Sequence, residues 1–323
     1  MKAAVMTNES LQSYLSNTKQ LVDSELKDLL TTLSMVKLHP MLEYALLSDG
    51  KRLRPILTIL SAQSAGGNPK RVARLALAFE LLHTATLVHD DIIDEDTIRR
   101  GTKSLHSRWS LTSAILTGDA LIAIAINLAA EYGSEIMKIV SRVGLELCDG
   151  EYDDICLSLN EATEEDYLAK IGKKSASLFR AVTFCGALAA GGSHFETEAL
   201  SRFGEYFGMV YQLNDDLNDV IAENHLSQDL KNGNVTLPFL YAYKNTRDSV
   251  RTLLMENFGN KRITTEAAQE IMDELRESGA LIYCRDKVKE YSIKAQQSLE
   301  GMKESIFKGH LIHFPDYVSS FDI

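Results

Sequence analysis

Proline is scarce in this chain and unevenly placed. The 323 residues include five prolines, and none lies between Pro69 and Pro238. A stretch of that length, rich in Ala, Leu, Ile and Glu, favours long helices because proline breaks the interior of a helix. The period-two alternation of apolar and polar residues that is typical of strands is also missing. The sequence therefore predicts an all-α protein.

Positive charge and paired cysteines are lacking as well. The formal net charge is −11, and a protein that binds nucleic acid needs a basic face, so we exclude a nucleic-acid partner. The cysteines have neither metal-ligand nor disulfide spacing, and we interpret them as reduced thiols of a cytoplasmic protein. They are Cys148, Cys156, Cys185 and Cys284.

Signals for export and membrane insertion are missing too. Residues 1–36 are too polar for a signal peptide. The longest apolar runs, such as 114–128, are interrupted by Gly118 and Asp119, and they are shorter than the roughly 20 residues that cross a bilayer. We therefore expect no membrane span.

Apolar residues make up 45% of the chain, which is enough for a large core. The breaks between apolar segments are too short for domain linkers, so we expect residues 1–323 to form one domain. Its predicted architecture is a single large helical bundle with a central substrate cavity between facing helices. The predicted helices cover residues 9–32, 38–49, 53–65, 70–94, 108–133, 134–158, 164–190, 195–223, 235–255, 264–277 and 281–306.

A cluster of aspartates ends the fourth of these helices. Asp90 and Asp94 stand four residues apart, so both carboxylates project from one helix face, with Asp91 beside them. Carboxylates this close repel one another unless a cation neutralises them, and Mg²⁺ takes one or two carboxylates together with substrate phosphates. His83 lies about two turns earlier on the same stripe. Taken alone, this first aspartate cluster fits a solvated acidic helix end equally well.

A second aspartate cluster favours a metal site over a solvated helix end. Asp215, Asp216 and Asp219 repeat the spacing of the first cluster, more than a hundred residues later in the chain. Two matching clusters predict two helices that face across one cavity and share metal ions. Basic residues accompany them, as a diphosphate substrate requires. These residues are Lys51, Arg52, Arg54, Arg99, Arg100, Lys170, Lys173 and Lys174.

Several segments together carry a resemblance to a known family. They are Gly50-Lys-Arg-Leu-Arg-Pro55, Asp90-Asp-Ile-Ile-Asp94, Arg99-Arg100-Gly101, Gly118-Asp119, Gly150-Glu151, Lys174-Ser175, residues 212–219 and Thr236-Leu-Pro238. In this combination and order, the sequence resembles the trans (head-to-tail) isoprenyl diphosphate synthases, or polyprenyl synthases. The resemblance implies a Mg²⁺-dependent, chain-elongating prenyltransferase that condenses isopentenyl diphosphate with an allylic prenyl diphosphate.

The resemblance also implies roles for individual residues. A trinuclear Mg²⁺ cluster on the allylic diphosphate would be held by Asp90, Asp94 and Asp215, with Asp91 and Asp219 supporting them. The same diphosphate would contact Arg99, Lys174, Ser175 and Gln212. The isopentenyl diphosphate would contact Lys51, Arg54, His83 and Arg100. The catalytic residues would be Asp90, Asp94, Lys174 and Asp215.

The chain departs from the family pattern in two places. After the second aspartate cluster the family carries two lysines, where this chain has Asn224-His225 and Asn234, with Lys231 as a substitute nearby. The chain also ends Ser319-Ser-Phe-Asp-Ile323, without a basic tail. Beside a homodimeric synthase, two alternatives therefore stay open. One is a weakly active or non-catalytic subunit of a heteromeric synthase. The other is a class I terpene synthase, which the predicted isopentenyl diphosphate residues disfavour.

Product length follows from the residues that precede the first aspartate cluster. Short-chain members of the family usually place an aromatic residue four or five positions before Asp90, where this chain has the small residues Thr86 and Ala85. A longer prenyl tail can therefore pass them. Phe79 lies on nearly the same stripe, about 16 Å below Asp90, and is the candidate floor. We expect a C25–C35 product, with C20 as the near alternative.

Overall fold

The computed structural model describes residues 8–221 and 227–319, and helices dominate within them. The predicted all-α class is confirmed. The helices are α1 (Asn8–Thr32), α2 (His39–Leu46), α3 (Leu53–Ser64), α4 (Pro69–Ile93), α5 (Leu105–Arg108), α6 (Leu111–Ala130), α7 (Ser134–Cys156), α8 (Glu164–Ile171), α9 (Ser177–Ala189), α10 (His194–Ile221), α11 (Gln228–Asn232), α12 (Leu237–Asn245), α13 (Asp248–Asn257), α14 (Thr265–Glu277), α15 (Ala280–Ser298) and α16 (Ile306–Ser319). A π-helical turn, Gly172–Ala176, joins α8 to α9.

The contacts within the chain divide it into two compact units. The first unit comprises the chain up to residue 144 together with 181–201 and 301–311, and the second comprises the remainder. In the second unit, α12 packs against α8, α13, α14 and α15. The core of this unit includes Tyr167, Leu213 and Phe239. The expectation that residues 1–323 form one domain stays a prediction.

Helix α4 is buried among other helices of the first unit. Its start is set by Asn68, whose side chain accepts a hydrogen bond from the amide of Lys70, and by Pro69 in the first turn; both residue types are favoured there. The helix packs against α1, α2, α3, α5 and α6. Every residue from Leu75 to Leu82 is buried, as is typical of a helix surrounded by protein. Helix α4 is therefore a firm support for the aspartates at its C-terminal end.

A short β-hairpin follows α4. Strands β1 (Ile98–Arg99) and β2 (Thr102–Lys103) pair antiparallel. Arg100 and Gly101 connect them with φ angles of 51° and 76°, the left-handed backbone that a tight two-residue turn requires. The expectation that strands are absent was wrong here, because strands of two residues are too short to produce a visible alternation.

Several helix boundaries also differ from those predicted. The predicted helix 108–133 corresponds to α6, which begins at Leu111 because Ser110 caps its start by accepting a hydrogen bond from the amide of Ser113. The short helix α5 before it was not predicted. The predicted helix 164–190 contains the π-helical turn, and 235–255 is two helices, α12 and α13. Helices α11 and α16 were not predicted.

Among the described residues, two helices have the length and apolar composition of a membrane span, namely α4 and α6. In its most apolar window α4 is 72% buried within the protein, whereas α6 is 44% buried. Apolar runs such as 114–128 were predicted to be shorter than a membrane span. For α6 this prediction was wrong, since the helix continues through Gly118 and Asp119 and has 20 residues. Length and composition alone do not distinguish a membrane span from the core helix of a globular protein.

Candidate active site

The first aspartate cluster closes the C-terminal end of α4. The amide of Asp94 donates to the carbonyl of Asp90 at 2.8 Å, and the amide of Asp96 donates to the carbonyl of Asp91 at 2.9 Å. Asp90 and Asp94 are both partly exposed, and their spacing places them on one face of the helix. Asp91 is buried instead. The cluster is therefore divided between two carboxylates near the surface and one in the interior.

Asp91 forms an ion pair with the guanidinium of Arg99, which lies on strand β1 of the hairpin. Nε of Arg99 donates to Asp91 Oδ1 at 2.5 Å, and its Nη2 donates to Asp96 Oδ2 at 3.3 Å. Burial raises the pKa of Asp91 and outweighs the neighbouring charge of Arg99, which lowers it. Arg99, predicted to bind the allylic diphosphate, is thus held in place by the buried member of the first cluster.

The turn of the hairpin lies against the loop that precedes α3. Nη1 of Arg100 donates to the carbonyl of Asp49 at 2.6 Å. A Cβ atom on Gly50 would lie 2.7 Å from the same nitrogen, so a side chain at this position would require the Arg100 guanidinium to shift. Lys51, which follows directly, is exposed. Two of the predicted isopentenyl diphosphate residues, Lys51 and Arg100, are therefore brought to one place.

The other two predicted isopentenyl diphosphate residues contact one another. Nη1 of Arg54, on α3, lies 2.9 Å from Nε2 of His83, on α4. Removal from water lowers the pKa of His83 well below its ordinary value of 6.5, and the charge of Arg54 lowers it further. The neutral imidazole accepts the Arg54 hydrogen bond at Nε2. His83 therefore adds hydrogen-bonding capacity to the site without adding charge.

A cavity in the first unit opens beside these residues. Its walls include His83 and Arg100 together with hydroxyl groups that sequence reasoning missed. Those hydroxyls belong to Tyr44, Ser48 and Ser104. The hydroxyl of Tyr44 also donates to the carbonyl of Lys103 at 2.6 Å, which ties the hairpin to α2. No local sequence pattern marked these residues, since they meet only through the fold.

The second aspartate cluster lies on α10, in the second unit. Asp215 is exposed, whereas Asp216 is buried. Asp216 accepts hydrogen bonds from the hydroxyl of Tyr167 at 2.6 Å and from Nε2 of Gln212 at 2.7 Å. Burial is the largest cause that raises the pKa of Asp216, to about 6. Gln212 in turn accepts a hydrogen bond from Ser175 Oγ at 2.5 Å. Tyr167 and Asp216 therefore orient two residues predicted to meet the allylic substrate.

Asp219, the last member of the second cluster, caps α11. Its carboxylate accepts hydrogen bonds from the Ser227 hydroxyl and from the amides of Gln228 at 3.0 Å and Asp229 at 3.1 Å. A carboxylate is favoured at a helix N-terminus because it satisfies free amides and the helix dipole. Asp219 therefore fixes the first turn of α11.

The position where the family carries its second lysine is occupied by Asn234. Its Nδ2 donates to Asp229 Oδ1 at 3.2 Å. Burial and the nearby charge of Asp219 raise the pKa of Asp229 well above its ordinary value. An uncharged partner is thus compatible with this buried carboxyl group. Asn224, His225 and the last four residues lie outside the described residues, and the substitute role of Lys231 stays a prediction.

Lys174 lies in the π-helical turn and forms salt bridges with carboxylates of α7. Its Nζ lies 2.5 Å from Asp154 Oδ2 and 2.9 Å from Glu151 Oε2. Asp154 also accepts from the buried Lys170 at 2.6 Å. Burial tends to raise the pKa of Asp154, but the charges of Lys170 and Lys174 lower it. Gly150 permits this packing, because a Cβ there would lie 2.4 Å from the amide nitrogen of Lys174.

The carboxylates that were predicted to hold metal suit an open site rather than a closed cage. Within residues 8–221 and 227–319, no three His, Cys, Asp or Glu side chains come together as metal ligands. Mg²⁺ differs from cage-bound metals in that it keeps several waters and takes one or two carboxylates plus substrate phosphates. In the first unit, Asp90 and Asp94 lie one turn apart and are partly exposed, and in the second unit Asp215 is exposed. Each is an oxygen donor of the type that Mg²⁺ takes.

The residues predicted to set product length all lie on α4. Phe79 and Ala85 are fully buried, and Thr86 is half-buried. The residues of the stripe nearer the aspartates, His83 and Asp90, are partly open. The accessible part of this stripe therefore ends at Phe79.

Comparison with known proteins identifies the family. The family model for polyprenyl synthetase matches residues 35–275. The chain belongs to the polyprenyl synthetase family. This polyprenyl synthetase is therefore a prenyltransferase of isoprenoid biosynthesis, from a family that depends on divalent metal ions.

Individual relatives agree with this assignment over nearly the whole chain. The chain is 31% identical to geranylgeranyl diphosphate synthase of Methanosarcina mazei, covering 96% of this chain and 98% of that protein. It is 31% identical to heptaprenyl diphosphate synthase component 2 of Bacillus subtilis, covering 87% and 82%. Among solved structures, polyprenyl synthase from Caulobacter crescentus, complexed with calcium and isoprenyl diphosphate, matches with a TM-score of 0.89 and 29% identity, covering 96% and 98%.

Proposed function

We propose that this polyprenyl synthetase elongates an allylic prenyl diphosphate with isopentenyl diphosphate to give an all-trans polyprenyl diphosphate. The observation that carries the proposal is the convergence of three separate segments in the first unit. The segment that enters α3 (residues 50–54), helix α4 and the hairpin bring Lys51, Arg54, His83 and Arg100 to one region. Several cations beside a neutral histidine suit a diphosphate, and a lyase that ionises a single allylic diphosphate has no use for a second diphosphate site.

The reaction follows from the substrates and the proposed residue roles. The bond between the allylic carbon and the diphosphate oxygen breaks, and both electrons leave with the diphosphate. The isopentenyl double bond then attacks the allylic carbon, and a proton passes to the departed diphosphate as a new double bond forms. Lys51, Arg54 and Arg100 hold the isopentenyl diphosphate in place by charge and hydrogen bonds, so its double bond is oriented before attack.

The allylic diphosphate is assigned to the other group of residues. We propose that Arg99, Lys174, Ser175 and Gln212 bind and orient it, while the contacts with other residues described above hold each of these side chains in position. We propose that Asp90, Asp94 and Asp215 hold three Mg²⁺ ions, which would supply positive charge to the departing diphosphate. Lys174, at present matched by Asp154 and Glu151, would share its charge with the same group.

The product is proposed to lie between C20 and C35. Ala85 and Thr86 have small side chains, which would let a prenyl tail pass the first aspartate cluster, and the bulky, buried Phe79 is the proposed floor. Eleven residues of helix correspond to about 16 Å, so a floor at Phe79 would stop the product near C20–C25, and a tail that passes Phe79 would reach C30 or more; the favoured product is C25–C35.

A second copy of the chain is the proposed partner. Helix α6 exposes Leu111, Ile115, Leu116 and Ile126 along one face, and an apolar face of this kind is typical of a protein interface. The alternative is a subunit of a heteromeric synthase. Two observations support this alternative, namely the missing family lysines and the similarity to a synthase described as component 2.

The deciding experiment is a product assay with the purified chain. It is incubated with Mg²⁺, isopentenyl diphosphate and either farnesyl or geranylgeranyl diphosphate, and product mass is measured. We expect a defined longer polyprenyl diphosphate, which is lost in Asp90→Ala and retained in Asp28→Ala, a control at an exposed aspartate of α1. Loss of the allylic substrate without incorporation of isopentenyl units would indicate a terpene synthase. No reaction with any primer would refute a stand-alone synthase.

A further inference from the structure

Arg52 lies between two residues of the proposed isopentenyl diphosphate site, Lys51 and Arg54, but its own side chain is buried. Its φ of 52° and ψ of 33° are left-handed, a conformation that residues other than glycine rarely adopt. Such a backbone persists only where the surrounding structure enforces it, and it is concentrated at functional sites. The contacts of the Arg52 side chain hold its backbone in this conformation.

The guanidinium of Arg52 joins three helices. Nε donates to Asp23 Oδ1, on α1, at 3.0 Å, and Nη1 donates to Glu80 Oε1, on α4, at 2.7 Å. Nη2 donates to the carbonyls of Leu46 and Ser48 at 2.6 and 3.1 Å. These carbonyls lie at the C-terminal end of α2, where a positive charge is favoured. All three nitrogens of the fork therefore donate to protein acceptors.

We propose that Arg52 is a positioning residue that fixes the backbone from which Lys51 and Arg54 reach the isopentenyl diphosphate. Its role rests on the proposed function. The carboxylates of Asp23 and Glu80 already match its charge, so its effect on substrate passes through its neighbours in the chain. A lysine would keep the charge but lacks the planar fork, so it cannot make these contacts together.

If Arg52 moved, the contacts on either side of it would determine which residues move with it. The loop is held on one side by Arg100, which donates to the carbonyl of Asp49, and on the other by the Arg54–His83 contact. Arg52 is the buried residue between these two points. Loss of its contacts would therefore displace Lys51 and Arg54 together, while the residues of the second unit keep their own contacts.

The test compares Arg52→Lys with Arg74→Lys. Arg74 is a matched control, because it also lies in the first unit and pairs with Glu131 through two hydrogen bonds of 2.7 and 2.6 Å, but at the surface. We expect Arg52→Lys to raise the KM for isopentenyl diphosphate about tenfold, which is about 1.4 kcal/mol. The KM for the allylic diphosphate should change by less than about twofold, which separates local repositioning from a general loss of fold. Arg74→Lys should change neither.

A binding measurement makes the test independent of turnover. Isopentenyl diphosphate is titrated by calorimetry, without allylic substrate, into wild type, Arg52→Lys and Glu80→Gln, and helical content is checked by circular dichroism. Glu80→Gln weakens the contact between Arg52 and Glu80 by removing the charge of the carboxylate. If Arg52→Lys does not fold, the affinity of Glu80→Gln for isopentenyl diphosphate tests the positioning role. We expect both variants to bind isopentenyl diphosphate more weakly than wild type.

The outcomes separate the role of Arg52 from the proposed function. Unchanged isopentenyl diphosphate affinity in the folded variants, or equal losses for both substrates, would overturn the positioning role. If wild type binds isopentenyl diphosphate but forms no product, chain elongation fails, while the binding of Arg52→Lys still decides the role of Arg52. If wild type does not bind isopentenyl diphosphate, both proposals fail.

Discussion

At the scale of single residues, the aspartates of each cluster have different tasks because a helix cannot point them all one way. Asp91 is buried and orients Arg99, whereas Asp216 is buried and orients Gln212. Both of these partners are assigned to the allylic diphosphate. Each cluster therefore combines surface carboxylates that suit metal ions with an interior carboxylate that positions a substrate-binding side chain.

Tyr167 provides a test of this division. Tyr167→Phe removes the hydroxyl that donates to Asp216 at 2.6 Å, so Gln212 loses a fixed partner. We expect the KM for the allylic diphosphate to rise on the order of tenfold, because the buried carboxyl of Asp216 loses one of its two donors. The KM for isopentenyl diphosphate should not change. Tyr283→Phe is the control, since its hydroxyl donates to Glu164 nearer the surface. Equal effects of the two variants would contradict the assignment.

His83 predicts a dependence of stability on pH. Its pKa is lowered by burial and by Arg54, so below about pH 6.5 the unfolded chain binds a proton that the folded protein does not. The free energy of unfolding should therefore fall as pH decreases below 6.5, with a slope of up to about 1.4 kcal/mol per pH unit from this group. Urea denaturation between pH 7.5 and 5.5 measures the fall.

His83→Gln isolates the contribution of the imidazole, since glutamine keeps a polar side chain but does not titrate. The variant should lose less stability than wild type over the same pH interval. An identical loss in both proteins would show that other groups cause the pH dependence.

At the scale of elements, the close approach of α7 to the π-helical turn restricts the residue at position 150. Gly150→Ala would place Cβ 2.4 Å from the amide nitrogen of Lys174, so the turn must shift, at a cost of about 1–3 kcal/mol. We expect a raised KM for the allylic diphosphate and a lower melting temperature. Gly144→Ala, in the same helix with no atom within 4 Å of its added Cβ, should stabilise the protein or leave it unchanged. Full activity in Gly150→Ala would refute the proposed role of the turn.

Helix α4 provides a test of product length. Phe79→Leu shortens the side chain where the accessible stripe ends, so we expect products longer by one or more isoprene units, measured by mass spectrometry. Phe239→Leu is the control, because Phe239 is equally buried in the second unit. Both variants should lose stability to a similar degree, since each removes buried apolar volume. Unchanged products from Phe79→Leu would exclude Phe79 as the floor.

The sequence predicted what depends on local spacing and missed what depends on the tertiary structure. Asp90 and Asp94 share a face because four residues make about one helical turn, and no further information is needed. The contacts of Arg52 with Glu80, and of Asp216 with Tyr167, join residues distant in the chain. The hairpin was missed for another reason, because its strands have two residues each.

At the scale of the whole molecule, the exposed apolar face of α6 predicts self-association. We expect wild type to sediment as a dimer and Ile115→Glu to sediment as a monomer, because a charge in a buried interface is costly. Ile282→Glu, at an exposed isoleucine of α15, should remain dimeric. A monomeric wild type would contradict the homodimer and favour a search for a different partner chain.

The π-helical turn places a constraint on insertion and deletion in this segment. A π-helical turn holds one residue more than an α-helical turn, and the Ser177 hydroxyl donates to the carbonyl of Lys173 at its end. Deleting one residue between Gly172 and Ala176 would restore a regular α-helix with α8 and α9 in nearly the same rotation, but it would change the directions of the side chains within the turn. Lys174 and Ser175 would then turn away from Asp154 and Gln212. Variants that substitute side chains here should be tolerated more often than variants that change the length of the segment by one residue.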